Sequence, residues 1–337
     1  MNIYFAPMEG ITGYIYRRVH RNYYPGTAKY FTPFLAPGPQ KGIGGRELRD
    51  VLPENNEGVP LVPQILTNRA EDFLKTAELL ENMGYREINL NLGCPSGTVA
   101  AKKKGSGFLA FPEELDSFFD AVFSGMEKRG SRQAVSVKTR IGKEDPGEFE
   151  RLLEIFNRYP IAELIIHPRV QTDFYKNHPN MEAYRMAVNG SRNPVVYNGD
   201  LFTEADIRRH CADFPETKTL MLGRGFLMDP SLGEKACAGE GRCETAGARK
   251  EEERLSAFLD ELCSQYAAVF SGDRNVLFKM KELWAYLEGH FPGEEKLLRK
   301  LKKAKSLEEY KSITKLLFSG AIQGAGQQEP SENTDFQ

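Results

Sequence analysis

Ile3-Tyr4-Phe5-Ala6 runs straight into Pro7-Met8-Glu9-Gly10, and the turn after this first apolar run decides between two ways of building a parallel sheet. An open, doubly wound sheet that binds a dinucleotide places Gly-x-Gly-x-x-Gly at such a turn. Ala6-Pro7-Met8-Glu9-Gly10 lacks those glycines. Seven more β-rich runs follow: Lys29–Thr32, Leu61–Leu66, Glu87–Leu92, Ala134–Thr139, Glu163–His167, Val195–Asn198 and Thr219–Leu222. The segments between them are long enough for a helix each. Ala70–Met83 puts Phe73, Leu74, Ala77 and Leu80 on one face, and Pro112–Glu127, Glu148–Tyr159 and Thr203–Cys211 are similar. Strands alternating with helices imply parallel pairing, and eight such units predict an α/β fold, a closed (β/α)8 TIM barrel over residues 1–240.

A chain of 337 residues, 40% hydrophobic and 27% charged, suits one large domain plus a smaller one. After Pro230 the texture changes. Ala236–Lys250 reads as a linker, and from Glu251 only helical patterns remain: Leu255, Phe258, Leu262, Tyr266, Phe270; then Val276, Met280, Leu283, Trp284, Leu287; then Leu297, Leu301 and Tyr310 to Leu317. These predict a small all-helical domain over 251–318, with a polar, disordered tail over 319–337. No apolar stretch approaches the roughly 20 residues that span a bilayer, and the first residues lack a signal peptide's pattern, so no membrane partner and a cytoplasmic location are expected. Five scattered cysteines without a Cys-x-x-Cys pair argue for reduced thiols and no metal site. The net charge of −2 gives no global polyanion signal, leaving two local ones. Lys102-Lys103-Lys104 is the first; the second is Lys296–Lys315, where eight basic residues against Glu308 and Glu309 leave a surplus of six positive charges. The second also reads as a solvated helical face.

A barrel carries its chemistry at the C-terminal ends of its strands, and here those ends are polar. Asn91-Leu92-Gly93-Cys94-Pro95-Ser96 puts a thiol where a strand becomes a turn, beside an amide with donors and an acceptor. The alternative is a small buried residue closing a tight turn. Asn198-Gly199-Asp200 and Gly223-Arg224-Gly225 end the last two strands, the usual place for a phosphate in this fold, and supply backbone N–H groups and a guanidinium. Lys138 and His167 end adjacent strands, and Gln64 adds an amide able to read a ring edge. Such a lysine forms a Schiff base or stabilises negative charge on a reduced ring. Lysine, histidine and two amides around one phosphate cradle point to flavin mononucleotide, FMN.

Ala6-Pro-Met-Glu-Gly-Ile-Thr12, Asn91-Leu-Gly-Cys-Pro-Ser96, Lys104-Gly-Ser-Gly107, Val137-Lys-Thr-Arg140, His167-Pro-Arg169, Asn198-Gly-Asp200 and Gly223-Arg-Gly225 together resemble the tRNA-dihydrouridine synthases, in that family's order. The resemblance covers Ile3 to about Phe226, and the helical segment is similar to the family's second, RNA-binding domain. It implies an enzyme in which NADPH reduces FMN, hydride passes to C6 of a flipped-out uracil in tRNA, and Cys94 donates a proton to C5. It assigns FMN contacts to Met8, Gln64, Lys138, His167, Asn198, Gly199, Gly223 and Arg224, with Ala6, Pro7 and Asp200 beside them at the same strand ends. Asn91 falls to the uracil, and Arg169, Lys102 and Lys104 to the RNA. Two departures stand out: Gly13 where an aspartate is usual, and Val170-Gln-Thr-Asp-Phe-Tyr-Lys-Asn-His-Pro179 after the His-x-Arg element. Other classes compatible with the residues are a small-molecule flavin oxidoreductase of the dihydroorotate dehydrogenase or ene-reductase kind, a Schiff-base aldolase using Lys138, and a catalytically silent RNA-binding protein.

Overall fold

The computed structural model describes residues 1–38, 42–237 and 244–325. Nine parallel strands make one sheet: β1 (Asn2–Phe5), β2 (Lys29–Phe31), β3 (Leu61–Val62), β4 (Gln64–Ile65), β5 (Glu87–Leu92), β6 (Ala134–Gly142), β7 (Leu164–Val170), β8 (Val195–Tyr197) and β9 (Thr219–Leu222), in the order β3-β2-β1-β9-β8-β7-β6-β5-β4. The first and last in that order are separated only by Pro63, so the sheet closes on itself and the fold is a TIM barrel. The expected third strand is split because Pro63 has no N–H to give to a ladder. Its carbonyl still accepts from the Asn89 N–H, and Thr32 and Leu35 bond to Val62, Gln64 and Leu66 across the seam. Tyr4, Ala6, Phe31, Val62, Ile165, Val196 and Met221 form a small apolar cluster of their own, while a larger core fills the space between sheet and helices. On β1 the alternation is visible, since Tyr4 and Ala6 belong to the small cluster and Ile3 and Phe5 to the large one. At the strands' N-terminal ends Lys29 sits between Glu87 (2.7 Å) and Glu163 (2.8 Å), and the Tyr4 hydroxyl donates to Glu163.

Gly13 precedes the first helix, Tyr14–Tyr23, and has no side chain with which to cap it. The cap comes from elsewhere. Asp50, in the helix Gly45–Val51, accepts from the Tyr14 N–H at 2.7 Å and pairs with the fully buried Arg17 at 2.9 Å. A side chain at position 13 would begin 3.3 Å from that same carboxylate oxygen. Asp50 thus occupies the space that an aspartate at 13 would need and does its capping.

Beyond the barrel lie helices Glu244–Val269, Asp273–Leu287, Glu295–Lys303 and Leu307–Ala325. Helical structure begins before the expected Glu251 and runs past the expected stop at Phe318. Near the far end Ile313, Leu317 and Phe318 are buried, and Phe318 meets Phe291 edge-on. Residues 326–337 of the expected tail and 238–243 of the expected linker lie outside the described residues. Trp284 donates to the Tyr310 hydroxyl at 2.8 Å inside this bundle. Phe258 packs edge-on against Tyr16 of the first helix and Tyr24 just after it, so barrel and bundle share one continuous core. Among the described residues no helix is long and apolar enough to cross a membrane.

Candidate active site

Pairing of β5 with β6 sets Asn89 against Ser136 and Asn91 against Lys138. Asn91 is the keystone of the cysteine turn: its Oδ1 accepts from the N–H of Gly93 (3.0 Å) and of Cys94 (2.9 Å), and its Nδ2 donates to Gln64 Oε1 (2.6 Å). Two further clamps act on the same turn. The Ser106 hydroxyl (2.8 Å) and N–H (3.1 Å) both donate to the Cys94 carbonyl, and Arg140 Nε donates to the Gly93 carbonyl. Gly105 adopts φ +58°, and a Cβ there would lie 2.8 Å from the Cys94 carbonyl oxygen. This explains the Lys104-Gly-Ser-Gly107 element, because only glycine allows the serine to come under the turn. The Cys94 thiol is half-buried. Burial is the largest influence on its pKa and raises it, as does Glu9, against Ser96, Arg140 and Lys138. The thiol therefore stays protonated at neutral pH.

The Lys138 side chain makes no hydrogen bond or ion pair among the described residues, and its pKa is lowered to about 7, by burial first and by Arg140 second. His167 Nε2 lies 3.0 Å from Arg169 Nη1. A guanidinium only donates, so Nε2 accepts and the proton sits on Nδ1. Burial and then four cations, Arg140, Lys138, Arg169 and Arg224, hold His167 well below the usual imidazole range. It is a neutral donor.

Two of the expected residues meet protein groups in this structure. Arg169, expected to meet the RNA, is 1% exposed, and four of its five N–H groups go to His167, the Asn177 carbonyl and both oxygens of Asp200 (3.0 and 2.5 Å). A cation left solvent-exposed on a loop would meet phosphates; this one is drawn inward by a carboxylate. Asp200, expected at the cofactor, is the shared counter-ion of Arg169 and Arg224, the latter at 2.6 Å. Arg224 is further braced by the rings of Tyr175 (4.7 Å) and Phe202 (5.0 Å).

The remaining expected residues gather round this centre. Ala6 and Met8 lie 3.5 and 3.3 Å from where a side chain at Gly223 would begin, with Pro7 between them in sequence. Asn198 is tied to the Met221 carbonyl at 2.8 Å. The backbone N–H groups of Gly199, Gly223 and Arg224 enter no hydrogen bond among the described residues. Lys102 is exposed and Lys104 half-buried in the loop just after the cysteine turn, and Asn68 donates to the Lys102 carbonyl. Unpartnered N–H groups beside a braced guanidinium suit a phosphate, and an unpartnered lysine beside two amides suits a ring with carbonyl edges, so the donor set fits FMN. Among the described residues no group of three or more His, Cys, Asp or Glu could hold a metal ion.

Sequence reading gave no role to Asn89, Ser136, Arg140 or Tyr175, although Arg140 and Tyr175 stand in quoted segments. Glu87, Asn89 and Asn91 alternate with Ile88, Leu90 and Leu92, a period-2 polar stripe that could have shown the first. Nothing comparable marks Tyr175, which is 51% exposed at the edge of the site. A cavity of about 780 Å³ opens to one side, lined among others by Glu9, Tyr14, Arg46, Tyr266 and Lys279; it includes neither Lys138 nor His167.

Comparison with known proteins agrees with this geometry. A "Probable tRNA-dihydrouridine synthase" of Staphylococcus aureus (strain COL) is 29% identical over 248 residues, covering 68% of this chain and 70% of that one. The "tRNA-dihydrouridine synthase B" of Pasteurella multocida (strain Pm70) is 25% identical over 231 residues, covering 68% and 67%. Among solved structures, morphinone reductase superposes with a TM-score of 0.50 at 12% identity, over 72% of this chain and 87% of that one, a likeness of fold. Residues 4–321 match the family model for dihydrouridine synthase (Dus). The chain belongs to the dihydrouridine synthase family.

Proposed function

We propose that this protein reduces specific uridines of tRNA to 5,6-dihydrouridine, using FMN with NADPH as reductant. The observation that carries the reading is the protonated Cys94 thiol, held by three backbone clamps beside Lys138 at the mouth of a barrel of this family. Bound there, FMN would supply hydride for C6 of the uracil. The protein's share is positional and protonic. Arg224 and the N–H groups of Gly199, Gly223 and Arg224 would hold the phosphate, Gln64, Lys138 and His167 Nδ1 would face the ring, and Asn91 would read the uracil. Lys138 stabilises negative charge developing on ring oxygens, and the Cys94 thiol delivers the proton to C5. A uracil in folded RNA must leave its stack to reach this mouth. Lys296, Arg299, Lys300, Lys303, Lys311 and Lys315 on the last two helices and Lys305 between them are all exposed, and the side cavity touches both barrel and bundle, so a polyanion spanning the two would cross it. Lys302 is already paired with Glu288.

The test is direct. Protein, FMN, NADPH and unmodified tRNA transcript should yield dihydrouridine in the nuclease digest by mass spectrometry, with none when either cofactor or the protein is omitted. An RNA unchanged under all conditions, while NADPH oxidation is driven by a small enone, would favour the small-molecule oxidoreductase instead.

Lys138 gives the binding a pH signature. Its pKa without ligand is about 7, and a ring accepting from the ammonium raises it, so FMN binding takes up a proton above pH 7. Affinity should be highest below pH 7 and fall above it by up to about tenfold per pH unit. Titration calorimetry in two buffers should show that uptake at pH 8.5, and Lys138→Met should abolish it. Equal uptake in both proteins would remove Lys138 from the ring.

A further inference from the structure

Beneath the cysteine turn a chain of side-chain hydrogen bonds runs down the barrel interior. Asn91 Nδ2 donates to Gln64 Oε1 (2.6 Å), Gln64 Nε2 to Asn89 Oδ1 (2.8 Å), Asn89 Nδ2 to Ser136 Oγ (2.9 Å), and the Ser136 hydroxyl to Glu87 Oε1 (2.9 Å). The other Glu87 oxygen rests on Lys29 at 2.7 Å. Gln64, Asn89 and Ser136 are fully buried.

The direction of this chain is imposed from both ends. At the top, Asn91 Oδ1 meets two backbone N–H groups, which only donate, so its nitrogen must face Gln64. Gln64 must then answer with its oxygen and turn its nitrogen to Asn89, and Asn89 repeats the choice. At the bottom, a carboxylate held by Lys29 only accepts, so Ser136 must donate to it and accept from Asn89. The two demands agree at every link. The carbonyl oxygens of Gln64 and Asn91 both accept from within the protein, and each amide keeps one N–H with no partner among the described residues. Such a pair offers N–H groups to the carbonyl oxygens of a ring edge.

We propose that Glu87, Ser136 and Asn89 are positioning residues: from below the mouth they lock Gln64 and Asn91 with N–H groups toward the ring carbonyls of the bound flavin and uracil, and hold the Cys94 turn in place. The ligand named rests on the reading above; the lock itself does not. Two measurements separate them. The FMN dissociation constant comes from quenching of flavin fluorescence. The rate of Cys94 alkylation by iodoacetamide, followed on its own peptide by mass spectrometry in flavin-free protein, reads the turn without flavin or RNA. Ser136→Ala leaves the Asn89 nitrogen without an acceptor and should raise both quantities by about tenfold. Ser136→Thr keeps the hydroxyl and should return both to within about threefold of the parent. Glu87→Gln, nearly isosteric but able to donate, frees the direction and should shift both in the same sense. Parent values for folded Ser136→Ala, or a folded Ser136→Thr as impaired as the alanine variant, would overturn the proposal. Should Ser136→Ala not fold, Glu87→Gln decides alone, and parent values in both measurements would overturn it. If the parent itself binds no FMN, the flavin reading fails while the alkylation rates still decide the lock.

Discussion

Cys94→Ala is expected to bind FMN and to be reduced by NADPH as the parent is, yet to form dihydrouridine about a hundredfold or more slowly, the usual contribution of a positioned general acid. The separation follows from how the turn is held. Asn91, Ser106 and Arg140 grip backbone atoms of Gly93 and Cys94, not the sulfur, so removing the thiol leaves the turn in place. Stopped-flow reduction of the flavin, followed by its reoxidation with tRNA and mass analysis of the RNA, reads the two halves in one experiment. Reoxidation and product at the parent rate would show that another acid supplies the proton, and slow reduction by NADPH would show that the thiol shapes the flavin site itself.

Asp200→Asn should have the largest effect on stability. The carboxylate neutralises Arg169, 1% exposed, and Arg224 together. An amide of the same shape leaves a buried guanidinium uncompensated, which costs about 3–5 kcal/mol. The melting temperature should fall by on the order of 5–10 °C, and FMN should dissociate more readily because Arg224 loses its brace. Adding Arg169→Met removes the stranded charge and should recover most of the melting temperature while FMN retention stays weak. A single variant that melts with the parent would mean that Arg169 finds its compensation elsewhere.

What could be read from the sequence was whatever local chemistry dictates. Apolar runs alternating with helical patterns, and the missing glycines after Ala6, require a parallel barrel, and strand ends such as Asn91 to Cys94 are recognisable because turn residues mark where a strand stops. Family motifs added order and roles. Direction was not legible. Arg169 and Asp200 were both seen, but an arginine's signal is the same whether it reaches for solvent or for a carboxylate 31 residues away. The capping of the first helix by Asp50 depends on a contact between two helices, which no spacing reveals. Pro63 was visible as a residue but not as the seam where the barrel closes, since that follows from which strands become neighbours.

The packing of Phe258 against the first helix bears on how the protein is made. Tyr16 and Tyr24 leave the ribosome early, and the Phe258 ring that packs on both arrives more than 230 residues later. At roughly 5–20 residues per second, the nascent barrel presents an uncovered aromatic face for some tens of seconds. Chaperones that shield such faces would matter most in this interval, and a chain stalled or truncated before the bundle would reach the cell as an aggregation-prone fragment, not as a smaller enzyme.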